Sequence, residues 1–197
     1  MIMNPMSLIL AFYPLLPIIL STLAAIFTVI ISKFQRKKSI IGGIVSIFLL
    51  ASLCISIDNL LRIIASGEPI IIYYTIFGVG SETTVSWGSC FFIDALNAFV
   101  GVIFVLVGFV TSIYSIGYME EKGIVEYYVL LSLMITGLLG VAYAGDLFTL
   151  FVFYELLGVS AYILVAFYRT KVAIEASIKY LIIGAAGTAL ILSGIAL

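Results

Sequence analysis

One carboxylate constrains this chain more than any other residue, because it stands alone inside a long apolar stretch. Between Asp146 and Arg169, Glu155 is the only residue that carries a charge near neutral pH. On a helix that rises about 1.5 Å per residue, Glu155 lies roughly 13 Å from Asp146 and roughly 21 Å from Arg169. The hydrocarbon core of a membrane is about 30 Å thick. The sequence therefore places this carboxylate near the middle of a membrane-spanning helix.

An ionisable side chain at that depth is unfavourable by about 2.5–3.5 kcal/mol on insertion scales, and more where it faces lipid. Such side chains usually line an ion or proton path with a partner in reach. Two interpretations of Glu155 stay open. It is either a titratable relay whose partner is a lysine, or a protonated acid that is hydrogen-bonded between helices.

The composition fits a membrane protein and excludes several kinds of site. Hydrophobic residues make up 64% of the chain and charged residues 10%, against about 45–50% and 25% in soluble domains. Histidine is absent and there are two cysteines. That inventory excludes the usual zinc, haem and iron–sulfur ligand sets, and also a Ser/His/Asp or Cys/His catalytic set. We therefore expect no metal, no cofactor and no catalytic residue in this chain.

Apolar segments of membrane-spanning length predict an all-α membrane protein, with one membrane domain over residues 1–197. The predicted helices cover residues 7–32, 39–57, 91–118, 127–143, 147–168 and 173–197. The connection 58–90 contains a β-branched and aromatic run, a Gly-rich turn and a second β-prone run, at 70–77, 78–81 and 83–87. This pattern predicts a short β-hairpin over the membrane surface. An apolar loop packed on the helix ends is the alternative.

The cations predict the orientation, because cytoplasmic loops are enriched in lysine and arginine. Three short loops, 33–38, 119–126 and 169–172, hold most of them: Lys33, Arg36, Lys37, Lys38, Lys122, Arg169 and Lys171. The opposite side holds Arg62. We expect these loops in the cytoplasm, and both termini and the hairpin outside a cell membrane. The chain stops in apolar sequence at Leu197, which suggests half of a larger unit.

Several motifs carry a family resemblance. The sequence reads DLFTLFVFYE at 146–155, SAYILVAF at 160–167 and ASIKY at 176–180. From Glu126 onward the chain resembles the antiporter-like membrane subunits of respiratory complex I, of Mrp-type sodium/proton antiporters and of membrane-bound hydrogenases. Upstream, FIDALNAF at 92–99 and IYSIGYM at 113–119 fit the third span of that family.

The resemblance implies a proton-translocating, or sodium-translocating, subunit of a multisubunit complex. In the family, a glutamate on the fifth helix works with a lysine on a broken seventh helix, and Glu155 matches the former. Members have more spans than the six predicted here. The resemblance thus implies membrane subunits as partners, one of which supplies the missing helices. A truncated subunit that bridges its neighbours without conducting is the alternative.

Further candidates for the ion pathway lie around Glu155. Glu175 and Lys179 stand four residues apart on the sixth helix, so an ion pair is available to them. Lys179 either modulates Glu155 or extends its stem to the membrane interface beside Glu175. Tyr162 and Ser160 are candidates to line a hydrated path.

Three more acids are secondary candidates. Asp146 and Asp94 precede the fifth and third helices, where a carboxylate caps a helix and favours the positive end of its dipole. Glu126 begins the fourth helix, either as a cap or as an entry point for protons. On the sixth helix, small residues including Gly184, Gly187 and Gly194 predict a face for close packing.

Overall fold

The computed structural model describes residues 12–34, 37–75, 78–80, 88–120 and 123–196. These residues form six helices that are each long and apolar enough to cross a membrane, the first of them preceded by a 3₁₀ turn at Tyr13–Leu15. The helices are α1 (Leu16–Ser32), α2 (Lys38–Ser66), α3 (Ala95–Tyr118), α4 (Ile124–Tyr143), α5 (Leu147–Val165) and α6 (Lys171–Ala196). The predicted class is confirmed: the chain is a multi-pass, all-α membrane protein.

A small sheet lies between α2 and α3. Its strands are β1 (Ile70–Thr75), β2 (Gly78–Gly80) and β3 (Gly88–Ile93), in the order β2-β1-β3, and both pairings are antiparallel. The first strand of the predicted hairpin is present as β1. The second predicted strand, 83–87, falls outside the described residues. All six residues of β1 pair with β3, whose last residues were expected to begin the third span.

The third helix therefore starts later than predicted. Ile70 of β1 lies opposite Ile93, which keeps the backbone extended up to that residue. Asp94 then caps the helix, its Oδ1 accepting a hydrogen bond of 2.7 Å from the Asn97 amide. An apolar run such as Phe91–Ile93 suits a buried strand as well as a helix, so its residues alone do not separate the two.

The second helix ends later than predicted. α2 continues past Ile57 to Ser66, because Asp58 and Arg62 form an ion pair four residues apart on its surface instead of marking its end. The helix ends at Gly67, whose φ of 70° is the left-handed conformation common after a helix C-terminus.

The core of the bundle surrounds α4. This helix packs against α1, α2, α3 and α5, and 56% of its span is buried, against 6% of the span of α6. Tyr128 and Tyr143 of α4 are among the largest fully buried side chains. α6 has α5 as its main neighbour. The described chain thus leaves most of its last helix uncovered.

Hydroxyl groups connect the helices inside the core. Ser46 and Ser112 join α2 to α3 at 2.9 Å, and Thr136 of α4 donates to Ser21 of α1 at 2.9 Å. Contacts of this kind are worth about 0.6 kcal/mol each on average within a membrane. They set the relative positions of the helices more than they add stability.

The bundle has two distinct ends. The sheet end comprises the three strands with the adjoining ends of α2, α3, α4 and α5. The turn end comprises the connections α1–α2, α3–α4 and α5–α6. At the sheet end the Gly145 amide donates to the Cys90 carbonyl at 2.8 Å, and Phe91 forms a bridge with Ala144. These contacts attach β3 to the start of α5, the helix that carries Glu155.

Candidate functional site

Glu155 lies near the middle of α5. It stands eight residues after Leu147 and ten before Val165, or about 12 Å and 15 Å along the helix axis. The side chain is half-buried in the isolated chain. Within the described ranges, the carboxylate makes no hydrogen bond and no ion pair.

The face of α5 that carries Glu155 points away from the core. Phe153 and Leu157, on the opposite face, pack on α4, where Gly140 and Gly137 leave room for them. Glu155 shares its own face with Gly158 and Tyr162, at spacings of three and seven residues. Since Tyr162 packs on α6, Glu155 belongs to the side of α5 where α6 docks.

Tyr162 is the main contact between α5 and α6. Its backbone carbonyl accepts a 2.7 Å hydrogen bond from the Ser177 hydroxyl, and its ring meets Tyr180 edge to face with centroids 4.7 Å apart. Its hydroxyl lies between Gly158 and Gly184, where a Cβ on either glycine would meet the oxygen. The side chain is 7% exposed.

Lys179 and Glu175 form the predicted ion pair on α6. The Lys179 Nζ lies 2.6 Å from the Glu175 Oε1, and both side chains are more than two-thirds exposed. The contact between Ser177 and Tyr162 sets the register of the two helices. Counting away from the turn that joins the two antiparallel helices, Glu155 lies seven residues from Tyr162, and Lys179 lies two residues from Ser177. Glu155 and Lys179 are therefore about 7–8 Å apart along the helix axes. The structure therefore does not bring Lys179 to Glu155.

Ser160 also points elsewhere. Its hydroxyl is buried and donates to the Leu156 carbonyl at 2.8 Å, within its own helix. Five residues separate Ser160 from Glu155, which turns it about 140° away around the helix. Of the residues predicted to line a path, Tyr162 shares a face with Glu155 and Ser160 does not.

Asp146 caps α5 and holds the sheet to it. Its Oδ1 accepts from the Thr149 amide at 2.8 Å, and its Oδ2 accepts from the Cys90 amide at 2.7 Å. Burial acts to raise the pKa of Asp146, but hydrogen bonds from the Thr149 hydroxyl and from the amides of Cys90, Thr149 and Phe148 outweigh it and hold the pKa below its usual value. The predicted caps at Asp146 and Asp94 are both present.

Glu126 was also expected as a cap, and that expectation is wrong. The residue before α4 is Gly123, with φ at 87°, and no side chain caps this helix in the described part of the chain. Glu126 is exposed in the first turn. It lines a crevice of about 950 Å³ at the turn end, together with Glu120, Phe167 and Arg169.

The sequence analysis did not predict that the Tyr162 hydroxyl packs against Gly184. Gly184 was grouped with Gly187 and Gly194 as one packing face, yet no atom of the described residues lies within 4 Å of a Cβ built on either of the latter two. The sequence did contain a signal for this contact. Two sets of residues have the same spacing of three and seven positions, which places each set on one helix face: 155, 158 and 162 on α5, and 177, 180 and 184 on α6. Only the register of the two helices shows that these faces meet.

Comparisons with known proteins agree with this architecture. Residues 144–197 match a sequence model of the transmembrane region shared by NADH:quinone oxidoreductase and Mrp antiporters. Residues 80–128 match a model of the N-terminus of chain 5 of NADH-ubiquinone oxidoreductase, complex I. The two matches cover β3, α3 and the start of α4, and then α5 with α6.

Individual relatives point the same way. The F(420)H(2) dehydrogenase subunit N of Methanosarcina mazei is 32% identical over 162 residues, which is 81% of this chain and 30% of the relative. The NADH-quinone oxidoreductase subunit N of Coxiella burnetii is 32% identical over 120 residues, 59% of this chain and 25% of the relative. The chain thus spans less than a third of the length of these two proteins.

A solved structure shares the fold. A chain of the membrane-bound sulfane sulfur reductase, an archaeal respiratory membrane complex, superposes with a TM-score of 0.84 at 30% identity. The match covers 93% of this chain and 36% of that one. The chain belongs to the family of antiporter-like membrane subunits found in complex I and related membrane complexes.

Proposed function

We propose that this chain forms part of a proton-translocation path in a multisubunit membrane complex, with Glu155 as the titratable relay. The observation that carries the proposal is an ionisable carboxylate near the middle of a spanning helix, on the face where α6 docks. A carboxylate at that depth is unfavourable in lipid unless it faces a partner or a hydrated path.

The charged pair on α6 supplies the second element of the proposed path. Lys179 is held by Glu175 and lies about 7–8 Å from the level of Glu155. Release of Lys179 from Glu175 frees a long, flexible stem whose ammonium favours the charged form of Glu155. In the alternative arrangement, Lys179 stays with Glu175 and extends toward the membrane interface.

The partners are proposed to be other membrane subunits. The uncovered span of α6 supports this, since only 6% of it is buried by the described chain. A subunit that supplies further helices would cover this face and place a lysine nearer to Glu155. The crevice around Glu126 at the turn end is the proposed entry for protons, and it lies on the side that the cations assign to the cytoplasm.

A structural role as a bridge between subunits is the second candidate. One observation favours it: within the described ranges Glu155 has no ion-pair partner, while Lys179 is already paired. A bridging subunit needs the helices but not the titration of Glu155. The two functions therefore differ in what a neutral residue at 155 does.

Glu155→Gln in the assembled complex tests the proposal, because glutamine keeps the shape and removes the titration. We expect proton uptake into proteoliposomes, followed with a pH-sensitive dye, to fall at least tenfold while native gels show an intact complex. Glu68→Gln makes the same chemical change in an exposed loop and is the control. Unchanged proton uptake in E155Q would favour the bridge. A loss of sodium uptake alone would reassign the ion.

A further inference from the structure

We infer that Tyr162 is a positioning residue: its hydroxyl, held in a slot between Gly158 and Gly184, couples the docking of α6 to Glu155. The inference rests on the proposed function of Glu155 as a proton relay. It adds a named group through which α6, and any subunit docked on α6, acts on that relay.

The slot is specific to these two glycines. A Cβ on Gly158 would lie 2.9 Å from the Tyr162 hydroxyl, and a Cβ on Gly184 would overlap it. Gly187 and Gly194, on the same helix as Gly184, have no neighbouring atom within 4 Å of such a Cβ in the part of the chain that the structure describes. A general need for small residues would affect all the glycines of α6 alike, whereas only Gly184 faces the hydroxyl.

α6 holds Tyr162 at three successive levels. Ser177 binds its backbone carbonyl, Tyr180 packs against its ring and Gly184 accommodates its hydroxyl. These residues occupy one face of α6, spaced by three and seven positions. Because α5 is the main neighbour of α6, a shift or rotation of α6 must move Tyr162.

The hydroxyl lies toward Glu155. Side chains on a helix lean toward its N-terminus, so the ring of Tyr162 covers the turn that contains Gly158, one turn from Glu155. The ionisable groups around the hydroxyl are Glu155 and Tyr154 on α5 and Tyr180 on α6. A phenol both donates and accepts a hydrogen bond. Because the Glu155 carboxylate makes no direct hydrogen bond among the described residues, the proposed link from this phenol to the carboxylate runs through one water.

Three single variants and one double variant of the assembled complex test the coupling. Tyr162→Phe removes only the hydroxyl, and Gly184→Ala displaces it. We expect each to lower proton transport on the order of tenfold, the size of one hydrogen bond to a charged group. The pH midpoint of transport should rise in both variants, because the carboxylate loses a donor, bridged by water, that favours its charged form. Gly187→Ala leaves the Tyr162 hydroxyl in place, so it should keep the wild-type pH midpoint even where another subunit covers that part of α6.

The double variant Y162F/G184A separates the slot from simple packing. Without the hydroxyl, the new methyl group meets only the end of the ring, so the combined loss should be smaller than the product of the single losses. A Y162F complex with the wild-type rate and pH profile would overturn the inference. Equal shifts of the pH midpoint in G184A and G187A would also overturn it.

Glu155→Gln belongs in the same series. Transport abolished by E155Q but unchanged by Y162F and G184A rejects the role of Tyr162 and leaves the proposed function standing. Wild-type transport by E155Q rejects both.

Discussion

Individual hydroxyl groups in the core differ in what they contribute, and two tyrosines of α4 make the difference measurable. Tyr128 and Tyr143 are both fully buried. The Tyr128 hydroxyl donates to the Ser112 carbonyl at 3.0 Å, whereas the Tyr143 hydroxyl has only the Ser56 hydroxyl near it among the described residues and makes no well-formed hydrogen bond with it. A buried polar group without a partner is unfavourable, so its removal is tolerated.

Phenylalanine at each position tests this contrast. Tyr128→Phe should destabilise the protein by about 1 kcal/mol, the net value of one hydrogen bond, while Tyr143→Phe should be neutral or slightly stabilising. The measurement is the thermal unfolding midpoint of the detergent-purified protein, with the two variants compared directly. Equal losses in both would mean that the Tyr143 hydroxyl is hydrogen-bonded in the protein, to Ser56 or to a group outside the described residues.

Asp146 and Asp94 provide a second comparison between residues of the same type. Asparagine still caps a helix, so Asp94→Asn should change the free energy of unfolding by less than about 0.5 kcal/mol. At Asp146 an amide can replace only one of two acceptor oxygens, which leaves the Cys90 amide unpaired. Asp146→Asn should therefore cost about 1–3 kcal/mol. Faster hydrogen exchange at the Cys90 amide in D146N would locate the loss, and unchanged exchange there would contradict it.

The lowered pKa of Asp146 also gives this interaction a pH dependence. A carboxyl group whose pKa is lower in the folded state stabilises the fold fully above its unfolded pKa, near about 4. That stability is lost as the pH falls through the lower folded value. D146N should therefore be closer to wild type in stability under strongly acidic conditions than at neutral pH.

At the scale of elements, the sequence predicts helices well and their ends less well. Six apolar segments suffice to predict six spans, because only helices of that length satisfy their backbone groups in lipid. The end of α2 was misjudged because Asp58 and Arg62 indicate a boundary when each is taken alone, although they neutralise each other on the helix. The start of α3 was misjudged because Phe91–Ile93 suits strand and helix equally.

At the candidate site, the sequence predicts the position of each residue along its helix but not the contacts between the two helices. The position of Glu155 along α5 follows from counting residues, and so does its shared face with Tyr162. The contact of that face with Ser177, Tyr180 and Gly184 depends on how far α6 slides along α5. Similar apolar faces on both helices allow several registers, so single-sequence periodicity predicts the faces but not their pairing.

Lysine and arginine residues are concentrated at the turn end of the molecule and are scarce at the sheet end. In the described residues, the turn end carries Lys33, Lys37, Lys38, Arg169 and Lys171, and the sheet end carries Arg62. Lysine and arginine are retained on the cytoplasmic side of membrane proteins. We therefore expect the turn end, with the crevice of the proposed path, on the cytoplasmic side and the sheet on the other.

Site-directed labelling in intact cells tests this orientation. In a background with Cys54 and Cys90 replaced by serine, single cysteines are introduced as Glu68→Cys at the sheet end and Tyr168→Cys at the turn end, both exposed positions. A membrane-impermeant maleimide should label E68C in intact cells and Y168C only after permeabilisation. Labelling is measured as a mass shift on a gel. The opposite pattern would invert the bundle, and the crevice around Glu126 would then be an exit instead of an entry.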